Sequence, residues 1–376
     1  MSRCRRSGQQ GVALIAVMMV VAFVVLIAVS MSGRLQLELQ RQINLQQRQQ
    51  AIWLALGAEQ FIQRLLKKSA AGKETTNLSQ EWATQGAVFP VEQATISGTV
   101  TDLQACFNLN ALLPAANNNP GTNPDNNADN NTANDTGDRD NPNNSTGRDG
   151  ATPNNSNPAN SANRTKPGQQ TPAQQAFLRL LEQNALELSM PPDYLVARVT
   201  DWLDPDSTLQ SAGGAEENDY AALEMPYYSA NSLMVSKSEL RVILDMTPAD
   251  YALVAPLVCV IPQVSSLKIN VNTMTEQQAP VLAALIPGLS EDDAKSVISG
   301  RPEKGYDSVD DFFSSNSAVF SQTPTAEVKA LFDVKSAYFQ AEISIDTADS
   351  NFSMTSLLKL DDEQVQVVAR RFGGPG

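Results

Sequence analysis

Residues 6–29 read RSGQQGVALIAVMMVVAFVVLIAV, and the apolar run inside this stretch, Val12 to Val29, contains no charge, proline or glycine. A run of that length crosses the hydrocarbon core of a bilayer as one α-helix. Ahead of it stand Arg3, Arg5 and Arg6, while the flank beyond is mixed, so the positive-inside rule leaves the N-terminus in the cytoplasm and sends the body across. A cleaved secretory signal also joins a basic region to an apolar core. Two features oppose that reading: Ser30-Met31-Ser32-Gly33 is a weak cleavage candidate, and the helical pattern continues past it.

Beyond the span, apolar residues recur at Leu35, Leu39, Ile43, Ala51, Leu54, Ala58, Phe61 and Leu65, mostly three or four apart among Gln and Arg. This spacing predicts one long amphipathic helix continuing the membrane segment. Its second half is expected to dock on the chain's own domain and its first half on neighbouring subunits.

Charge and composition bound the chemistry. The chain has 376 residues, enough for two or three compact units, and a formal net charge of −14. Such a balance repels nucleic-acid phosphates and suits cationic partners or divalent metals. No histidine occurs, which excludes a histidine general base, a Ser-His-Asp triad and histidine-ligated zinc. Of three cysteines, Cys4 precedes the span, while Cys106 and Cys259 lie far beyond it. In an oxidising compartment these two could form one disulfide; two buried thiols are the alternative.

Residues 114–172 contain almost no large apolar side chain and read as an Asn-rich disordered insertion. Around it runs an internal repeat. DLQACFNLNAL, from Asp102, is followed past the insertion by QQAFLRLLEQNA and PDYLVARVTDWLD; SSLKINVNTMT, from Ser265, is followed by QQAPVLAALIPGLS and EDDAKSVISGRP. Each copy reads as a short extended Asn-containing segment and two helices. Between the copies, SKSELRVILDMTPADYALVAPLV predicts a further helix pair, with Thr247 or Pro248 starting its second helix. After Val334, the alternation in YFQAEISIDTA, FSMTSLLKL and QVQVVARRF predicts an antiparallel sheet.

RSGQQGVALIAVMM resembles a type IV prepilin leader, which implies peptidase cleavage between Gly11 and Val12 and methylation of the new N-terminus. Most pilin-like chains carry glutamate at the fifth mature position; here it is Ala16. A carboxylate in hydrocarbon is costly unless paired, so its loss removes one staple for joining a fibre. With the large body and QQAIWLALGAEQ at residues 49–60, this departure resembles the K-type minor pseudopilins of type II secretion systems, the general secretion pathway protein K family. The resemblance implies an α+β chain with a pilin-like fold, a long N-terminal helix plus antiparallel sheet, and an inserted α-helical region of two SAM-like or helix-hairpin-helix-like units. The expected divisions are 1–11 leader, 12–33 span, 34–69 amphipathic helix, 70–113 pilin-like part and start of the first helical unit, 114–172 insertion, 173–264 first helical unit, 265–334 second, and 335–376 C-terminal strands. It implies a non-enzymatic subunit at the pseudopilus tip, anchored by one inner-membrane span with a periplasmic body. Its expected partners are the I-type and J-type minor pseudopilins, the major pseudopilin and the prepilin peptidase, with no nucleic acid.

Asp201, Asp204, Asp206, Glu216, Glu217 and Asp219 concentrate oxygens in VTDWLDPDSTLQSAGGAEENDYAAL, with Gly213 and Gly214 allowing the loop between them to turn. Such hard ligands suit calcium, although the spacing is not that of an EF-hand, and a solvated acidic loop fits them too. The resemblance implies structural calcium here, on Asp204, Asp206, Glu216, Glu217 and Asp219 with Asn231. IPGLSEDDAKSVISGRP also resembles a helix-hairpin-helix, but Glu291, Asp292 and Asp293 would repel phosphate, so the expectation is a packed helix pair. Two alternatives are a minor pilin of a type IV pilus or DNA-uptake apparatus, disfavoured by charge, and a membrane-anchored periplasmic hydrolase, for which no nucleophile-base pair can be named.

Overall fold

The computed structural model describes residues 10–91, 94–113, 170–183, 186–347, 350–361 and 364–373. The leader residues Arg3, Cys4, Arg5 and Arg6, and residues 114–169 of the Asn-rich segment, lie outside the described residues. The chain divides into two compact units: Met1–Asp102, Glu303–Gly305 and Lys335–Gly376 form the first, Leu103–Pro302 and Tyr306–Val334 the second.

The first unit is built on α1, one unbroken helix from Gln10 to Ala70. No proline interrupts it, and Gly33 and Gly57 have open space around them. It ends where Gly72 takes the left-handed conformation (φ 66°), with Lys67 and Lys68 in the last turn where cations suit the helix dipole. Leu14 to Leu45 leaves its apolar side chains exposed, and this part is long and apolar enough to cross a membrane. From Ala51 onward one face is buried, through Ala51, Ala55, Glu59, Ile62 and Leu66.

That face packs with a five-stranded antiparallel sheet whose order is β1 (Ala87–Val91), β2 (Ala94–Asp102), β7 (Tyr338–Thr347), β8 (Asn351–Asp361) and β9 (Gln364–Phe372). Strict alternation puts Phe339, Ala341, Ile343 and Ile345 of β7 and Met354, Leu358 and Leu360 of β8 into the core. Each large side chain so buried contributes about 1.5–3 kcal/mol. β2 pairs with β7 across the whole inserted sequence, Val100 opposite Ala341. Glu59, fully buried on α1, accepts hydrogen bonds from Arg370 Nε and Nη2 (2.7 and 2.8 Å) and Ser356 Oγ (2.7 Å), tying the helix to β8 and β9.

The second unit is helical, with α2 (Pro172–Gln183), α3 (Pro192–Leu203), α4 (Glu217–Ala221), α5 (Pro248–Val254), α6 (Ala279–Leu285), α7 (Glu291–Ser299), α8 (Val309–Ser315) and α9 (Ala326–Lys329). Two short parallel pairs accompany them: β3 (Phe107–Asn108) with β4 (Val258–Cys259), and β5 (Ile269–Asn270) with β6 (Phe332–Asp333). Cys106 and Cys259 are disulfide-bonded, with Cα atoms 5.9 Å apart.

The repeat has a hydrogen-bonding basis. Asn110 donates to Met234 O (2.9 Å) and accepts from Met234 N (2.8 Å); Asn272 does the same with Tyr306 O (2.9 Å) and N (2.7 Å). Both asparagines are wholly buried. Each copy thus uses the second Asn of an Asn-x-Asn segment to bind both backbone groups of one distant residue, satisfying polar atoms that would otherwise be stranded. In the second copy Gly288, at φ 81°, turns the chain between α6 and α7, and an added Cβ would meet Ser321 Oγ at 2.6 Å. Between the copies the first half of the expected helix pair is a 3-10 helix, Lys237–Val242, capped by Ser236 and Glu239. Its partner α5 begins on Thr247, whose Oγ1 accepts from Asp250 N.

Candidate metal centre in the acidic loop

The acidic stretch is built by the C-terminal turn of α3, the loop after it and the start of α4. Asp201 and Asp204 are three residues apart at the end of α3, which puts both carboxylates on one side of the helix. Asp201 is wholly buried; its Oδ1 accepts from Gln210 N and its Oδ2 from Ala215 N, both at 3.0 Å. The loop therefore folds back over this carboxylate. The two glycines serve space: a Cβ on Gly214 would lie 1.9 Å from Asp201 Oδ2, and one on Gly213 would lie 2.4 Å from the Tyr194 ring. Neither glycine has a positive φ, so close approach rather than a sharp turn demands them.

Asp201, Asp204 and Glu216 are all buried and offer oxygens within 4.8 Å of one another. Asp204 Oδ2 accepts from Gln210 Nε2 (2.9 Å), but among the described residues no hydrogen bond of good geometry reaches Asp204 Oδ1 or either Glu216 carboxylate oxygen. Burial pushes Asp201 up to about 6 against the two backbone N–H bonds, and the charges of Asp204 and Asp206 add to it. Burial and the charges of Asp201, Asp204 and Asp206 push Glu216 up to about 7. Asp204 is raised by burial as well. Buried like charges with stranded oxygens are unfavourable unless protons or a cation neutralise them. Their donor set, hard oxygen on a loop of adaptable geometry, is one that fits calcium.

The six residues singled out from the sequence are placed differently from one another. Asp204 and Glu216 belong to the buried group. Asp206 is exposed, its Oδ1 accepting from Thr208 N (2.8 Å), and its carbonyl accepts from Asn231 Nδ2 (3.4 Å), which brings Asn231 to the same rim. Asn231 sits at φ 43° with its Oδ1 buried and, among the described residues, without a partner; Ser229 Oγ is in the same condition. Glu217 and Asp219 are exposed on α4 and stand outside the group, and Asp219 Oδ2 caps the helix by accepting from Glu216 N (2.9 Å). Asp201 stood in the acidic stretch read from the sequence but not in the ligand set that the resemblance implied; its position three before Asp204 on a predicted helix was the available signal.

Comparison with known proteins decides the family. Sequence models of type II secretion system protein K match residues 105–263 and 269–335. The type II secretion system protein K of Aeromonas hydrophila is 33% identical, over 100% of this chain and 99% of its own. That of Dickeya chrysanthemi is 37% identical, over 97% of each. The chain belongs to the type II secretion system protein K family. The crystal structure of the GspK-GspI-GspJ complex from the enterotoxigenic Escherichia coli type 2 secretion system contains a chain with a TM-score of 0.68 and 25% identity, covering 89% of this chain and 100% of that one. This protein K relative is therefore a minor pseudopilin of a type II secretion system, an α+β chain with a long N-terminal helix and an antiparallel sheet. The type IV pilus alternative is set aside by the same matches. The relatives are secretion-system pseudopilins, and α1 is a candidate membrane anchor for this one.

Proposed function

We propose that this chain caps the tip of the pseudopilus and, with the I-type and J-type minor pseudopilins, starts the fibre onto which the major pseudopilin is added. The observation that carries this reading is α1: one rod that is covered by its own sheet from Ala51 onward and whose earlier part, the apolar span and the amphipathic stretch after it, is exposed. A side chain set like this packs laterally against sister rods. Ala16, where a carboxylate would serve entry beneath another subunit, suits the subunit that enters first. The enterotoxigenic E. coli relative crystallised in complex with GspI and GspJ supports the choice of partners.

The remaining parts follow from this role. The N-terminus faces the cytoplasm and the body the periplasm; a prepilin peptidase cuts between Gly11 and Val12 and methylates Val12. The inserted helical region consists of two SAM-like units, each beginning at its Asn-x-Asn segment. Structural calcium is held by Asp204 and Glu216 together with Asp201, with Asp206 and Asn231 at the rim, and supplies the positive charge these oxygens lack. Replacing Gly11 by a bulky residue tests the central claim: precursor of unprocessed size should accumulate and secretion should stop. Normal processing in that variant would refute the leader.

A further inference from the structure

The buried face of α1 continues below the sheet as a line of different chemistry. Ala55, Glu59, Ile62 and Leu66 succeed one another at steps of three or four and are covered by the chain's own strands. Continuing the same steps downward gives Ala51, still buried, and then Arg48, Leu45, Arg41, Leu37 and Arg34. Leu37 is 70% and Leu45 54% exposed, and the three arginines are exposed too. Among the described residues, none of these arginines has an ion-pair or hydrogen-bond partner. Seven-residue spacing at about 1.5 Å per residue sets the guanidinium groups on one side of the helix at intervals of about 10 Å. Glu38 is the one carboxylate between residues 34 and 58, so this stretch is positive in a chain of net charge −14.

The alternation decides what can cover the line. Leu37 and Leu45 favour an apolar cover, but burying Arg34, Arg41 and Arg48 beneath one is costly unless each meets a carboxylate. An apolar or basic surface is therefore rejected, and an acidic one without apolar residues leaves the leucines wet. What matches is an α-helix with Asp or Glu at seven-residue intervals and apolar residues between, the arrangement by which flanking charges select partners in coiled coils. Since the line starts directly above the membrane span, a rod alongside it must leave the same bilayer, where a helix satisfies its own backbone. We propose that Arg34, Arg41 and Arg48 with Leu37 and Leu45 form a charge-selective docking line for the N-terminal helix of a neighbouring minor pseudopilin. This rests on the reading of α1 as a fibre-forming rod and adds the chemistry of the partner.

The test is capture of the I-type and J-type pseudopilins from membranes by the tagged full-length chain. Arg41→Glu with Arg48→Glu should lower capture by at least about tenfold, because like charges then face each other across the contact. Arg41→Lys with Arg48→Lys keeps the charge and should stay within about threefold of wild type. Arg64→Glu, on an exposed position well off this line, should leave capture unchanged. All substituted residues are solvent-exposed, so folding of the sheet is not at issue. Unchanged capture by the double reversal, or equal loss with Arg64→Glu, overturns the docking line alone. A wild-type chain that captures neither helper overturns it together with the fibre reading.

Discussion

At the scale of single residues, the second unit is specified by a few buried polar side chains whose partners lie far away in sequence. Asn272 answers both backbone groups of Tyr306, so Asn272→Ala strands a buried N–H and a buried C=O at once. We expect a loss of about 2–6 kcal/mol in urea unfolding, from two such groups at about 1–3 kcal/mol each. The carboxylates of the acidic loop make an opposite demand. Asp201 and Glu216 are raised from 3.8 and 4.5 to about 6 and about 7, so the folded chain retains protons that the unfolded chain has released. Metal-free stability is then full below about pH 4 and declines as pH rises through these folded values. Calcium must displace those protons. Its addition should therefore raise the melting temperature more at about pH 7.5 than at about pH 5, and Asp204→Ala should weaken calcium binding at least about tenfold by titration calorimetry. An equal calcium effect at both pH values would remove these carboxylates from the site.

At the scale of elements, α1 and β9 depend on one buried ion pair. β9 is mostly exposed; Val365 and Val367 rest against the core, and Arg370 ties the strand to the helix through Glu59. Burial pushes the Glu59 carboxyl up, but bonds from Arg370, Ser356 and Gln63 and the Arg370 charge outweigh it, and the group is held below its ordinary 4.5. Its contribution is therefore present above about pH 4.5 and lost as acid takes pH down through the folded value. Arg370→Ala leaves Glu59 buried without its counter-charge. Since Arg370 is itself partly exposed, the expected cost is about 2–3 kcal/mol, below the usual penalty for breaking a fully buried pair. Amide exchange over residues 364–372 should quicken, and the acid limb of the stability curve should flatten; unchanged exchange would show that sheet pairing alone holds the strand.

At the scale of the whole molecule, the chain closes over very long sequence separations. The Cys106–Cys259 bond links residues separated by 153 positions and reinforces the pairing of β3 with β4. Replacing both cysteines by serine should lower the stability of the second unit by about 2–5 kcal/mol in thermal unfolding, because the unfolded chain regains the entropy of that loop. Much of this architecture was legible in the sequence. The apolar run at Val12–Val29, the helical period to Leu65, the two-residue period of the last strands and the paired Asn-x-Asn segments are local patterns, and local patterns follow from backbone geometry. The acidic cluster was visible as composition. What composition could not supply was which carboxylates converge: Asp201 joined Asp204 and Glu216, and Glu217 and Asp219 stayed outside, because the chain folds the loop over Asp201 through contacts only Gly213 and Gly214 permit. The cysteine pairing and the Asn110–Met234 and Asn272–Tyr306 contacts were equally undetermined. Periodicity states which face of an element must be covered; which distant residue covers it is settled only when all the buried polar atoms are satisfied together.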